Sequence, residues 1–171
     1  MASTIGVDTI QNATSGTTGL TINSTGRVTT PNKIAFLAIG NNGAYVTTTP
    51  VVVPTVKFNY GGGYNNSTGK FTVPSGGAGL YWFHAHFGIV LAGAAGGNIG
   101  TRFYIYNAAG SLLYAPYSYW NQSASGNYGT AHLTTMFPLA ENDYVQIIVF
   151  NSNGTYYADA GELSFQGMLI G

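Results

Sequence analysis

The stretch GLYWFHAHFGIV, residues 79–90, decides the fold class, because its side chains alternate with a period of two. One face of this stretch is apolar throughout and consists of Tyr81, Phe83, Ala85, Phe87 and Ile89. The opposite face mixes apolar and polar groups and consists of Leu80, Trp82, His84 and His86. Strict alternation of this kind predicts a β-strand with one face in a hydrophobic core.

The same pattern continues on both sides of this stretch. Residues 101–106 and 111–115 read as two strands, and the turn NAAG at residues 107–110 joins them. Residues 144–149 and 163–170 alternate in the same way. No segment keeps a 3.6-residue period, and Gly and Pro interrupt every window long enough for a helix. The sequence therefore predicts an all-β sandwich or barrel.

Composition limits the classes of function. The chain has 171 residues, of which 6% are charged, with 5 basic and 5 acidic side chains and no cysteine. Soluble chains normally carry about 25% charged residues, so neutral polar groups must solvate this surface, and self-association is expected. The missing basic field argues against nucleic-acid binding. The missing thiols exclude disulfides and thiolate metal sites.

The N-terminal residues 1–8, MASTIGVD, predict no signal peptide, because they contain neither a basic n-region nor an apolar h-region. No run approaches the ~18 apolar residues that a membrane helix needs, so membrane insertion is not predicted. We expect synthesis in a host cytoplasm without secretion.

A longer motif carries a family resemblance. Residues 64–74, YNNSTGKFTVP, followed by GLYWF at residues 79–83, resemble the Y-x-x-x-T-G-x-F-x-x-P and G-x-Y-x-F signature of the C1q globular domain. FPLAENDYV at residues 137–145 is similar to the L-x-x-G-D-x-V corner of that family, with Asn142 in place of Gly. Asn tolerates the left-handed conformation that this turn needs. IAFLA at residues 34–38 resembles the first strand of the family, and SFQGMLI at residues 164–170 its closing strand.

The resemblance to the C1q and tumour-necrosis-factor superfamily covers residues 34–171. It implies a ten-strand jelly-roll β-sandwich that assembles as a homotrimer. It also implies that the closing strand and the strand before the corner present side chains to the three-fold axis. In this sequence the matching positions are His132, Phe165, Gly167 and Leu169.

Residues 1–33 form a separate segment that is rich in Ser, Thr, Asn and Gly. VDTIQN at residues 7–12 resembles the opening of small bacteriophage virion proteins, and the collagen-like repeat of animal C1q proteins is absent. The segment is either a frayed leader or an extended arm that adds strands to another protein. As an arm, it would anchor to a virion through its spaced apolar residues, which are Ile5, Val7, Ile10, Leu20 and Ile22.

Catalytic and metal-binding patterns are weak. Glu141 and Asp143 lie in a predicted turn, where acids are ordinary, and no G-x-S-x-G elbow occurs. His84 and His86 share one strand face at a spacing that can chelate a transition metal. No third ligand lies nearby in sequence to fix the geometry, so we favour two partly exposed histidines. The sequence predicts no enzyme and no cofactor.

These features together predict a non-enzymatic bacteriophage protein on the virion surface, a homotrimeric knob anchored to capsid proteins as a decoration or head fibre. The alternative is a tail-fibre tip, attached to tail proteins, that binds host-surface glycan through Tyr117, Tyr119 and Trp120, since their rings can stack on sugars. A tail fibre needs a shaft, and an arm of about 33 extended residues spans ~110 Å at most. A secreted C1q-like lectin or ligand is disfavoured because a signal peptide and a stalk are missing.

Overall fold

The computed structural model describes residues 6, 8–11, 18–30, 32–40, 43–46, 49–90, 97–122, 128–151 and 155–171. Within these ranges, nothing is described of the side chains of residues 18, 43–46, 89–90, 97–99, 120–122, 128, 151 and 155–162. The secondary structure of the described residues consists of β-strands, which confirms the all-β prediction. In this part of the chain no helix is long and apolar enough to cross a membrane.

The strands, in chain order, are β1 Thr9–Gln11, β2 Thr18–Ile22, β3 Val28–Thr29, β4 Ala35–Ile39, β5 Gly43–Val46, β6 Thr55–Tyr60, β7 Tyr64–Asn65, β8 Lys70–Thr72, β9 Gly79–Val90, β10 Gly97–Tyr106, β11 Leu112–Tyr114, β12 Tyr117–Gln122, β13 Tyr128–Leu139, β14 Tyr144–Asn151 and β15 Thr155–Leu169. The chain divides into two compact units, Met1–Lys33 and Ile34–Gly171.

The first unit is a three-stranded antiparallel sheet in the order β1-β2-β3. Ile10 lies opposite Leu20, and Ile22 lies opposite Val28. Asn23 closes the turn between β2 and β3, because its side-chain oxygen accepts the Arg27 backbone N–H at 2.8 Å. The extended strands expected in this segment are therefore present, and they pair with one another.

The second unit contains two antiparallel sheets. One, which we call the β9 sheet, has the order β13-β9-β15-β4-β6, with β5 paired to β15. The other, the β10 sheet, has the order β11-β10-β14-β8-β7, with β12 paired to β10. Both sheets alternate buried and solvent-facing residues along their central strands. Their buried faces supply one hydrophobic core.

Aromatic side chains dominate this core. The largest fully buried side chains are Tyr81, Phe36, Phe71, Phe83, Phe87, Phe103, Phe165, Ile105 and Ile147. Burial of each such side chain stabilises the fold by about 1.5–3 kcal/mol. The Tyr81 hydroxyl donates to the Gly77 carbonyl at 2.6 Å, and burial raises the pKa of Tyr81 to about 12. The predicted inward face of residues 79–90 is thus confirmed for Tyr81, Phe83, Ala85 and Phe87.

The corner before β14 explains the acidic residues of the motif. Asn142 has a φ of 66°, so it adopts the left-handed conformation expected of it. The buried Asp143 carboxylate accepts the backbone N–H groups of Ala108 at 3.0 Å and Ala140 at 2.9 Å. Glu141 accepts the backbone N–H of Gly76 at 2.6 Å. Both carboxylates therefore hold loops together.

Candidate interaction surfaces

The outward side chains of the β9 sheet form one surface, which we call the β9 face. Along β9 the even-numbered residues point away from the core, because the odd-numbered residues are buried. Backbone pairing places the outward residues in three rows, which are His132-His86-Ser164, Thr134-His84-Gln166 and Met136-Trp82-Met168. The β9 face is therefore a continuous surface across three central strands.

Much of the β9 face is apolar and open to solvent. The exposed large hydrophobic residues on it are Phe58, Tyr60, Leu80, Met136, Met168 and Ile170. Met136 is 61% exposed. The described side chains of this face include no carboxylate, and Lys57 is their one charged group. Monomeric soluble proteins rarely expose a contiguous apolar surface of this kind, so the β9 face is a candidate contact surface.

All three histidines of the chain lie on the β9 face. His132 pairs directly with His86, and their ring centroids are 4.3 Å apart. His84 lies 6.2 Å from His132 between ring centroids, and its Nδ1 is 2.9 Å from the Thr134 hydroxyl oxygen. Burial, and then the nearby His132, lowers the pKa of His84. Among the described residues, no group of three His, Asp or Glu side chains is placed to hold a metal ion.

The residues predicted at the three-fold axis divide into two sets. His132 is exposed on the β9 face, and its place at an axis stays a prediction. Phe165 is fully buried in the core of its own chain. A Cβ added at Gly167 would lie 2.6 Å from the Phe83 ring, and Leu169 packs against the same core. The predicted orientation is therefore wrong for Phe165, Gly167 and Leu169, because the other face of β15 points outward.

The outer surface of the β10 sheet carries a chain of aromatic and cationic contacts, which we call the aromatic ladder. Its members, in order, are Tyr119, Tyr117, Arg102, Tyr104, Tyr106, Tyr144 and Lys70. Neighbouring ring centroids lie 5.8 Å apart for Tyr117–Tyr119, 5.9 Å for Tyr104–Tyr106 and 4.8 Å for Tyr106–Tyr144. The ladder crosses four strands, β12, β10, β14 and β8.

Two of the predicted glycan contacts belong to this ladder. Tyr117 and Tyr119 are 55% and 58% exposed, and their rings stack with an interplanar angle of 18°. Trp120 lies in β12 opposite Ile99, but its side chain is outside the described set. Sequence reasoning missed the other ladder members. The alternation of Arg102, Tyr104 and Tyr106 places these three side chains on one face of a strand. It does not say which residues of the neighbouring strands lie beside them.

The predicted anchor residues lie in the first unit. Ile10 is 49% exposed, whereas Leu20 and Ile22 are half-buried. Ile5 and Val7 fall outside the described residues. Exposed apolar residues on a small sheet suit attachment to another protein, and the anchoring role stays a prediction.

Comparison with known proteins places the domain in a fold family. A family model of the C1q domain matches residues 35–170. The globular domain of zebrafish complement 1qA is 19% identical over 81% of this chain and 98% of its own, with a TM-score of 0.60. Eiger TNF from S. frugiperda is 12% identical over 82% of this chain and 94% of its own, with a TM-score of 0.60. Murine APRIL is 12% identical over 81% of this chain and 99% of its own, with a TM-score of 0.58. These likenesses confirm the predicted jelly roll.

Proposed function

Because this chain belongs to the C1q domain family, we propose that it is a non-enzymatic, homotrimeric structural protein on the surface of a bacteriophage virion. C1q and TNF-like domains are generally binding or structural domains without catalysis, and they commonly form homotrimers. The acidic pair of this chain fits that class, because Glu141 and Asp143 are bonded to backbone amides.

The β9 face is the observation that carries the proposal of self-association. Its exposed Met136, Met168 and Leu80 have no polar tip that could hydrogen-bond to water. Their burial between copies would contribute roughly 25 cal/mol per Å² of apolar surface. Closed rotational symmetry buries the same patch on every copy, so no apolar face is left open. The low charge of the chain points the same way, because few like charges oppose association.

The first unit supports the anchoring role. It forms its own sheet, and Ile10 and Val28 are exposed on it. An edge strand of such a sheet can pair with a strand of another protein. We assign this unit to attachment on the capsid, as a decoration or head-fibre protein.

Electron microscopy of particles tests the virion assignment. Gold-labelled antibody against the chain should mark purified phage heads. A chain that begins at Asn32 should keep the circular dichroism spectrum of a β-protein and its trimer mass, yet fail to add to particles that lack the protein. If the shortened chain still decorates those particles, the domain is the anchor and the role of residues 1–33 is wrong. Absence of label from all particles would remove the virion assignment.

A second candidate function is glycan adhesion at a tail-fibre tip, and one specific observation favours it. Tyr117 and Tyr119 present stacked, exposed rings on the β10 sheet, where an apolar sugar face can lie against them. Gold label at the tail instead of the head would select this function. A secreted C1q-like lectin is a third reading, and particles free of label would favour it.

A further inference from the structure

We propose that the aromatic ladder binds a carboxylate-bearing saccharide, with sugar rings on the tyrosines and acid groups at Arg102 and Lys70. This inference rests on the glycan-binding candidate above and adds the chemical class of the ligand. The site lies within one chain, so it does not depend on how copies assemble.

Arg102 is held in place by aromatic rings. Its guanidinium carbon lies 5.2 Å from the Tyr117 ring centroid, 5.7 Å from Tyr104 and 5.4 Å from Phe150. Nη1 donates to the Tyr104 hydroxyl at 3.3 Å, and the Nε–H group has no acceptor among the described residues. A guanidinium has five N–H donors. Rings therefore fix this side chain and bury Nε, so the remaining Nη donors are the ones left for a ligand.

Lys70 occupies the other end of the ladder in a similar way. Its Nζ lies 3.9 Å from the centroid of the Tyr144 ring. Backbone pairing aligns Lys70 with Gln146, and Gln146 with Tyr104, so an amide lies between the lysine and the centre of the ladder. A cation–π contact orients an ammonium group without neutralising its charge.

Neither cation is neutralised by a carboxylate in the part of the domain that the structure describes. The described carboxylates of the domain are Glu141 and Asp143, and both accept backbone N–H groups at the corner before β14. Two of the 5 basic residues of the chain thus lie on the outer surface of the β10 sheet, and none of the described carboxylates lies beside them. Such a face attracts anions, and a planar carboxylate matches the fork of an arginine.

Tyrosines decide the class of anion. The exposed rings of Tyr117 and Tyr119 offer a flat apolar surface and a hydroxyl at its edge, which suits a sugar ring with its apolar face and its hydroxyl groups. A nucleic acid could also stack on tyrosine, but its affinity depends on several phosphate contacts by Lys and Arg. With two cations on the ladder and a net charge of +0, the chain favours the saccharide.

Calorimetry with the full chain tests the proposal. The probe is hexagalacturonate, and the matched neutral ligand is its methyl ester, which keeps the sugar and loses the charge. Oligothymidylate and dextran sulfate test the two competing anions. Arg102→Gln and Lys70→Gln each remove one ladder cation. Lys57→Gln removes one exposed charge from the β9 sheet, away from the ladder, and serves as the control.

Hexagalacturonate should bind at least about tenfold more tightly than its methyl ester, and each ladder variant should lose about tenfold. Lys57→Gln should stay within about twofold. An equal loss in Lys57→Gln, or tighter binding of oligothymidylate or dextran sulfate, would overturn the proposal. Equal binding of the methyl ester would remove the acidic class and leave glycan adhesion standing. If no saccharide binds, the proposal of an acidic saccharide and the proposal of glycan adhesion at the ladder both fail. The proposed trimer is tested independently, by sedimentation.

Discussion

The β9 face and the aromatic ladder lie on strands with the same alternation, yet their side chains end differently. Met136, Met168 and Leu80 end in apolar atoms, whereas the ladder residues end in hydroxyl, ammonium or guanidinium groups. An apolar side-chain end contributes favourable free energy only when it is removed from water. A tyrosine gains from contact on its ring and keeps a hydrogen bond at its edge.

This difference separates two kinds of recognition on one sandwich. A face of the first kind suits a dry and permanent contact with another copy, which resembles a core cut in half. A face of the second kind suits a hydrated ligand that binds and leaves, because its polar groups stay solvated in the free protein. The comparison depends on which side of each strand points outward, and variants can test that directly.

Phe165→Ala should give the largest effect and tests the inner side of β15. The ring is fully buried among Phe36, Phe83 and Phe103. Its removal should lower the free energy of unfolding by about 3–5 kcal/mol. Gln166→Ala, on the outer side, should lower it by about 1 kcal/mol at most, because this half-buried polar side chain lies outside the core and could be covered only by another copy. Urea unfolding at one fixed protein concentration measures both, and equal losses would contradict the assigned orientation of β15.

A double variant Met136→Lys/Met168→Lys tests the β9 face itself. Two ammonium groups per copy would be buried unpaired in a dry contact, which is strongly unfavourable. The dissociation constant of the trimer should rise by about 100-fold or more. The matched control, Tyr117→Lys/Tyr119→Lys, puts the same charges on the ladder and should leave the trimer intact. Sedimentation velocity measures the masses. A stable trimer of the first variant would show that copies meet elsewhere.

Much of the sandwich could be predicted from the sequence, because alternation and turn residues are local signals. The inward face of residues 79–90 and the left-handed Asn142 are examples. Sheet register is not local. The direct pairing of His132 with His86, and of Lys70 with Gln146, depends on how distant strands align.

The error at Phe165 has the same origin. A shift of one residue along a strand moves every side chain to the other face, and the closing strand is apolar on both sides. Phe165 and Leu169 point inward, whereas Met168 points outward. Gly167 could have settled the orientation, since a glycine beside aromatic positions suits a close approach of rings.

Acid should weaken the contact at the β9 face and spare the ladder. The pKa of His84 is lowered from 6.5 by burial and by His132. The folded chain therefore binds fewer protons there than the unfolded chain. The folding stability of the chain is full above pH 6.5 and falls as the pH drops from 6.5 towards the folded pKa. A contact between copies would desolvate the imidazole further and lower its pKa again, so acid should also favour dissociation of the trimer. Among the described side chains, His132 is the titratable group that faces His84 from a neighbouring strand, and His86 lies two residues along β9 itself. The described side chains of this face include no carboxylate.

Trimer dissociation measured by sedimentation from about pH 7.5 to about pH 5 tests this expectation. His84→Gln keeps a partner for Thr134 and should reduce the acid sensitivity. His132→Phe should preserve the trimer and should also reduce its sensitivity to acid. An unchanged pH midpoint in both variants would show that the histidines lie outside the contact.

The smallest expected effect comes from a matched pair of tyrosines. Tyr60 on the β9 sheet is 56% exposed and Tyr119 on the ladder is 58% exposed, so the two side chains differ in place and hardly in exposure. Tyr119→Ala should weaken hexagalacturonate binding by about fivefold and leave the trimer unchanged, because one stacking surface is lost. Tyr60→Ala should weaken the trimer by a similar factor and leave the saccharide unaffected. Calorimetry and sedimentation on both variants give four numbers. If either variant moves both properties, the two faces are not independent, and a dry contact and a hydrated ligand share one surface.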